Sequence, residues 1–202
     1  MNRLVVALSK GRLLDEALNI FVKKGIDVQS PQNGRKLYFD GREGKLRFII
    51  VRAQDVPTYV EYGAADLGIA GYDVLREQNR DLYELINLNI GRCKMVVAGK
   101  TDVISPLRPL RIATKFPNIA KDFFIKEGIN VEIIKLYGSI ELAPLFEISD
   151  WIVDITSTGR TLKENGLRVI REIFTSTAYL VASKGSYHTK YNEIKELMDI
   201  LT

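Results

Sequence analysis

A hydroxyl-rich segment at residues 154–162, Asp-Ile-Thr-Ser-Thr-Gly-Arg-Thr-Leu, combines hydrogen-bond donors with one carboxylate and a glycine. An apolar, strand-like run leads into it and a short helical pattern follows it. Unpaired N–H groups at a helix start suit an anion, and Ser157 and Thr158 add hydroxyl donors. Gly159 lets a ligand approach the backbone, and Asp154 could accept hydrogen bonds from sugar hydroxyls. The same residues would also form an ordinary turn with a threonine cap, so a phosphate cradle and a capped turn both remain open.

Two earlier strand-to-turn transitions carry cations. Lys10, Gly11 and Arg12 follow the first apolar run and open a helical pattern, which again suits an anion. Arg52 directly follows the very apolar residues 48–51. The carboxyl end of a buried parallel strand is where α/β proteins bind ligands, although a solvated arginine would have the same sequence signature.

Three further charged residues are candidates for contact with a ligand. Arg35 adds positive charge, Asp73 lies behind a glycine turn at the end of another apolar run, and Glu141 follows a possible loop-to-helix anion site. The chain contains no Walker-type phosphate loop, no Gly-x-Gly-x-x-Gly and no His-Glu-x-x-His. Several phosphate-suited turns at strand ends favour a ligand with more than one phosphate.

Composition restricts the class of protein. The 202 residues, 46% hydrophobic and 27% charged, suffice for one large domain or two smaller lobes. The single Cys93 excludes an internal disulfide, and the single His188 excludes a multi-histidine metal centre. A net charge of +4 without a dense basic tract favours small phosphorylated substrates over nucleic acid. No apolar run approaches the ~20 residues of a membrane span, and the N-terminus resembles a first strand more than a signal peptide, so we expect a cytoplasmic protein.

The elements that must position these residues alternate between strands and helices, which predicts an α/β fold with largely parallel sheets. The strands are predicted at residues 4–8, 46–51, 67–70, 95–98, 111–114, 131–135, 151–155 and 179–182. The helices are predicted at residues 13–22, 55–63, 117–128 and 161–165, followed by one amphipathic helix at 187–201. Residues 29–44 could be a hairpin or a loop, and the absence of a flexible linker leaves one sheet or two sheets open.

Taken together, these segments resemble short-form catalytic subunits of ATP phosphoribosyltransferase, the first enzyme of histidine biosynthesis. The resemblance extends over essentially the whole chain. The segments that carry it are residues 7–13, Arg52 with 55–57, 63–71, 111–115, 138–144 and 154–166.

This resemblance implies a two-lobed α/β fold like that of type II periplasmic binding proteins, with the active site in the cleft between the lobes. Lobe I would comprise residues 1–92 and 178–202, and lobe II residues 93–177. The chain would cross between the lobes near Cys93 and near Thr177.

The resemblance also implies transfer of phosphoribose from phosphoribosyl pyrophosphate to N1 of ATP, with Mg²⁺ bound to the pyrophosphate. Lys10, Arg35 and Arg52 match positions that act on the pyrophosphate. The substrate-binding positions that it implies are Gly11, Arg12, Asp73, Glu141, Asp154, Thr156, Ser157, Thr158, Gly159, Arg160 and Thr161. Adenine N1 already carries a lone pair, so a strong general base is not obviously required.

In this family a chain that ends after its last helix implies a separate regulatory subunit resembling histidyl-tRNA synthetase. We therefore expect a homo-dimer within a hetero-oligomer, with no nucleic-acid or membrane partner. The alternative is a two-lobed small-anion or solute-binding protein without catalysis. The cluster of cationic, phosphate-suited turns favours the transferase.

Overall fold

The computed structural model describes residues 3–28, 36–103 and 108–202. The chain folds as two compact units, of which the first comprises Met1–Gly91 and Thr177–Thr202 and the second Arg92–Ser176. The strands are β1 Leu4–Ser9, β2 Tyr38–Gly41, β3 Leu46–Val51, β4 Leu67–Gly71, β5 Leu82–Asn87, β6 Cys93–Gly99, β7 Leu110–Thr114, β8 Val131–Lys135, β9 Trp151–Thr156, β10 Arg168–Ser176 and β11 Ala178–Ser183. The α-helices are α1 Arg12–Lys23, α2 Val56–Glu61, α3 Tyr72–Gln78, α4 Pro117–Lys126, α5 Arg160–Glu164, α6 Lys184–Thr189 and α7 Tyr191–Leu201.

The first unit is built on a six-stranded sheet in the order β2-β3-β1-β4-β11-β5. Strand β1 lies between β3 and β4 and is parallel to both, with Ser9 opposite Val51 and Leu8 opposite Ile69. Almost every residue of β1 is buried, as expected for a strand covered on both faces. Helix α1 covers the sheet through Ala17 and Phe21, which lie one helical turn apart.

The second unit is built on a five-stranded sheet in the order β10-β6-β9-β7-β8. Strand β7 is parallel to both β8 and β9, whereas β6 is antiparallel to β9 and β10. Its core includes Met95, Ile112, Phe124 and Trp151. Pro117 begins α4. A backbone N–H at this first position would make no intrahelical hydrogen bond, so proline costs the helix none.

The expectation of largely parallel sheets was wrong, because within the described residues four of nine strand pairs are parallel. The described part of 29–44 contains β2, which pairs antiparallel with β3. The expected single C-terminal helix is two helices, because Lys190 leaves helical geometry at φ −125°. Within the described chain, no helix is both long and apolar enough to cross a membrane.

Candidate functional site

A pocket of about 410 Å³ lies in the second unit, at the carboxyl ends of β7 and β9. The order of elements explains its position, because each of these parallel strands ends there and passes into a loop. The site residues predicted from the sequence that line it are Glu141, Asp154, Thr156, Ser157, Thr158, Arg160 and Thr161. Gly159 belongs to the same turn.

The turn after β9 uses some hydroxyl groups internally and exposes others. The Gly159 N–H donates to Thr156 Oγ1 at 2.9 Å, and Gly159 has φ +74°, a conformation that favours glycine. Ser157, Thr158 and Thr161 are exposed. Helix α5 has only five residues and hence a small dipole, so its N-terminus alone is a weak site for an anion. The predicted threonine cap is absent, because Gly159 is the N-cap of α5 and no side chain caps the helix. Thr158 Oγ1 accepts from the Arg160 N–H at 3.4 Å, so this exposed hydroxyl also takes part in the turn.

Asp154 is one of the two carboxylates that line the pocket. Its side chain is 16% exposed, and Oδ1 lies 3.3 Å from Lys115 Nζ. Oδ1 also accepts a hydrogen bond from the Ile155 N–H at 2.8 Å. Burial raises the pKa of Asp154, the Lys115 charge opposes that rise, and the Glu141 charge adds to it. The pocket thus holds a desolvated carboxylate beside one cation.

Lys115 was missed as a site residue. It immediately follows β7, just as Arg52 follows β3, so the strand-end argument that selected Arg52 could have found it. The register of β7 and β9 places Thr114 opposite Val153, which brings the next residues, Lys115 and Asp154, side by side. Ser139, in the left-handed conformation at φ +49°, also lines the pocket and was not selected.

A second group of predicted residues lies at the carboxyl edge of the sheet in the first unit. The Lys10 N–H donates to the Val51 carbonyl at 2.9 Å, so the residues after β1 and β3 are neighbours. Both Lys10 and Arg52 are exposed. Gly11, with φ +94°, is the N-cap residue of α1, and Arg12 Nε lies 3.4 Å from Glu16 Oε1.

Asp73 follows β4, the other parallel neighbour of β1, but is only 7% exposed. It belongs to the first turn of α3, and a Cβ added at Gly71 would lie 2.3 Å from Asp73 Oδ1. Arg35 lies outside the described residues. The structure thus brings Lys10, Gly11, Arg12 and Arg52 to one sheet edge, whereas Asp73 is buried at the start of α3.

The described residues contain no group of three or more His, Cys, Asp or Glu side chains that could hold a metal ion. Magnesium is commonly held by one or two carboxylates together with substrate phosphates. Asp154 and Glu141 are the acidic residues that line the second-unit pocket and could contribute in that way.

Known proteins resemble the chain in sequence and in structure. The family model described as ATP phosphoribosyltransferase matches residues 52–202. An ATP phosphoribosyltransferase of Caldanaerobacter subterraneus subsp. tengcongensis is 52% identical over 200 residues, which cover 98% of this chain and 95% of the relative. The ATP phosphoribosyl transferase (HisG:HisZ) complex from Thermotoga maritima contains a chain with a TM-score of 0.84 and 37% identity; the match covers 98% of this chain and 96% of that one.

The aliphatic sulphonate binding protein SsuA from Escherichia coli has a TM-score of 0.60 at 12% identity, covering 100% of this chain and 72% of that one. At this identity the likeness concerns the fold alone. It confirms the predicted two-lobed α/β fold of the periplasmic-binding-protein kind and does not favour solute binding. The sequence match over three quarters of the chain and the high identity to a named relative determine the family: the chain belongs to the ATP phosphoribosyltransferases.

Proposed function

We propose that the chain transfers the 5-phosphoribosyl group of phosphoribosyl pyrophosphate to N1 of ATP, giving phosphoribosyl-ATP and diphosphate in the first step of histidine biosynthesis. Family membership supports the reaction. The observation that carries the assignment of the site is the pocket in which the 157–161 turn faces the Asp154 carboxylate.

In this proposal the turn binds the 5-phosphate and Asp154 binds the ribose. The exposed hydroxyls of Ser157, Thr158 and Thr161 donate to phosphate oxygens, and Gly159 keeps the backbone accessible. The Asp154 carboxylate accepts from ribose hydroxyls, and the charge of Lys115 opposes the rise in its pKa that burial causes.

The reaction replaces one bond at C1 of the ribose with another. The N1 lone pair of adenine forms the new bond, while the C1–O bond breaks and its electrons leave with the diphosphate. Negative charge therefore grows on the leaving group, and we assign its stabilisation to Lys10, Arg35 and Arg52. His188 and Cys93 have no role in this scheme.

Mg²⁺ bound to the pyrophosphate, when present, would neutralise part of the same charge. We propose that the metal arrives with the substrate, because pyrophosphate oxygens supply the ligands that Mg²⁺ prefers. Asp154 and Glu141 would add at most two carboxylates.

We further propose that the chain forms a homo-dimer within a hetero-oligomer containing a regulatory subunit that resembles histidyl-tRNA synthetase. Supporting this, the similar Thermotoga maritima chain belongs to a HisG:HisZ complex. We place the enzyme in the cytoplasm, where its substrates are made. The mass of the native assembly, measured with and without the partner, tests the association.

The direct test of function is to incubate the purified chain with ATP, phosphoribosyl pyrophosphate and Mg²⁺ and to follow the phosphoribosyl-ATP adduct by mass spectrometry. The reaction is run with and without the regulatory partner. We expect adduct and stoichiometric diphosphate, with the adduct lost in Asp154→Asn and kept in Lys121→Met, a change on α4 outside the pocket lining. Binding of both substrates without adduct under either condition would instead support the non-catalytic alternative.

A further inference from the structure

The second unit contains another pocket, of about 350 Å³, at the opposite end of its sheet. It is lined by Leu110 and Arg111 at the start of β7, by Ser149 just before β9 and by Trp151 at the start of β9. The substrate pocket proposed above lies at the carboxyl ends of the same two strands. Arg111 and Lys115 are four positions apart along an extended strand, or roughly 13 Å, so the two pockets are separate.

Two buried polar atoms lining this pocket have no hydrogen-bond partner among the described residues: Ser149 Oγ and Arg111 Nε. Ser149 is only 3% exposed, so water does not reach its hydroxyl freely. Buried polar groups are normally hydrogen-bonded, and an unmade bond costs stability. The pair therefore indicates donors that are available to a partner other than the described residues of this chain.

The nearby Asp150 does not supply that partner. Arg108 donates to its two carboxylate oxygens at 2.7 and 2.6 Å, and the Arg111 backbone N–H adds a third bond at 2.8 Å. Arg111 Nε remains 3.9 Å from Asp150 Oδ2, beyond hydrogen-bond distance. Asp150 is thus satisfied, whereas the Arg111 side chain keeps an unused donor.

The chemistry of the lining defines the ligand. Three cations, Lys100, Arg108 and Arg111, face two acids, Glu147 and Asp150, which leaves an excess of one positive charge. The remaining walls are largely apolar and are formed by Val103, Leu110, Pro144 and Trp151. Arginine and hydroxyl donors beside apolar walls suit a carboxylate attached to a short hydrocarbon body.

We propose that this pocket binds a small organic carboxylate, whose oxygens accept from Arg111 Nε and Ser149 Oγ while its apolar body lies against Leu110 and Trp151. The site is independent of the substrate pocket and of the transferase reaction. It would let the protein sense a small acid that is neither ATP nor phosphoribosyl pyrophosphate.

The chain carries its own reporter for this pocket. Trp151 is the single tryptophan of the protein, and its Nε1–H donates to the Thr101 carbonyl at 2.7 Å. Tryptophan fluorescence of the full chain therefore reports on the surroundings of one residue, which lines this pocket. Sodium pentanoate, which does not absorb in the relevant range, serves as the probe at constant ionic strength.

We expect a saturable change in Trp151 emission with half-saturation on the order of 1 mM, as for other small fragments. Pentanamide, the neutral analogue, and inorganic phosphate, which lacks an apolar body, should give no saturable change. A linear response to pentanoate, or equal saturation by pentanamide or phosphate, would overturn the proposal.

Two variants distinguish binding of a ligand by Arg111 and Ser149 from a structural role of these residues. Arg111→Gln should weaken pentanoate binding by about 10-fold or more, because a charged hydrogen bond is lost. Ser149→Ala should also weaken binding but should not lower Tm, since it removes a hydroxyl that has no partner among the described residues. If Ser149→Ala lowers Tm and leaves pentanoate binding unchanged, the hydroxyl has a structural role and the proposal fails.

Asp154→Asn provides the control for independence from the proposed function. It should abolish phosphoribosyl transfer and leave the pentanoate titration unchanged. Loss of both in this variant would place pentanoate in the substrate pocket and contradict the inference, whereas an inactive wild-type chain that still binds pentanoate would count against the proposed function alone.

Discussion

The carboxylate of Asp154 is mostly withdrawn from water, and one lysine, Lys115, lies 3.3 Å from it. Burial is the largest influence on this group and raises its pKa above the ordinary value of 3.8. In the absence of substrate, an ionised carboxylate at this position therefore opposes folding. Residues that bind ligand commonly carry such a cost in stability.

Replacing Asp154 by Asn should raise Tm of the ligand-free protein at neutral pH. The pKa of Asp154 in the folded state lies above 3.8, so the folded state binds the proton more tightly than the unfolded state. Protonated Asp154 therefore favours folding at low pH, and this stabilisation is lost as the pH rises from 3.8 through the folded pKa. The advantage of the variant should therefore shrink as the pH falls toward 3.8. Thermal unfolding followed by circular dichroism between neutral and acidic pH measures it; a neutral-pH Tm below that of the wild type would contradict the assignment of burial as the main cause.

Arg52→Ala should lower kcat more than it weakens ATP binding. The proposal assigns Arg52 to the leaving diphosphate, whose charge grows only as the C1–O bond breaks. Loss of one charged hydrogen bond costs roughly 1.5–3 kcal/mol, or about 10–100-fold in rate. Steady-state kinetics, with ATP binding measured separately, check this, and Arg168→Ala serves as an exposed-arginine control. Unchanged turnover would remove Arg52 from the reaction.

At the scale of elements, the sequence predicts best those strands that are continuous apolar runs. The predicted bounds of β3 and β8 agree with the structure residue for residue. Strand β10 was missed because most of its residues are exposed and several are charged, so its pairing with β6 leaves little trace in hydropathy. Strand direction was also mispredicted, since an apolar run has the same pattern in a parallel or an antiparallel pair.

In the candidate site, too, local sequence patterns could be predicted, whereas contacts that depend on strand pairing could not. Strand ends followed by charged or hydroxyl-bearing turns identified Asp154 and its turn, which the structure places around one pocket. The ion pair between Lys115 and Asp154 depends on the register of β7 against β9, which joins residues far apart in sequence. Such a contact cannot be obtained from local pattern alone.

Gly68→Ala should destabilise the packing of α2 on β4. A Cβ at this position would lie 2.7 Å from both Val56 Cγ1 and Val60 Cγ2, and both valines are fully buried. Overpacking of this kind costs about 1–3 kcal/mol. Urea unfolding measures the loss.

The matched control for this change is Gly185→Ala in α6, where nothing lies within 4 Å of the added Cβ. There the substitution should stabilise the protein by about 0.4–1 kcal/mol, because alanine lowers the entropy of the unfolded chain. Equal effects of the two substitutions would show that the valine contacts do not limit the space at Gly68.

At the scale of the whole molecule, the first unit is assembled from two separate stretches of chain, and Asp66 ties them together. Its Oδ2 accepts from the Val5 N–H at 2.9 Å and from Lys190 Nζ at 2.8 Å, and Oδ1 accepts from Ser186 Oγ at 3.3 Å. Asp66 is 7% exposed, so these bonds are made largely out of water. One carboxylate thus connects β1 to the two C-terminal helices, which follow the second unit in sequence.

Asp66→Asn should therefore loosen the C-terminal helices selectively. The amide keeps the size of the side chain but loses the charge that Lys190 meets, at a cost of about 1.5–3 kcal/mol. The control, Asp102→Asn, breaks the Arg168–Asp102 pair, whose side chains are 60% and 65% exposed, and should cost at most about 1 kcal/mol. Hydrogen exchange should speed up in α6 and α7 of Asp66→Asn while β7 and β9 remain protected as in the wild type. If exchange rises equally in both units, or if the two substitutions have the same effect, Asp66 does not hold α6 and α7 in place.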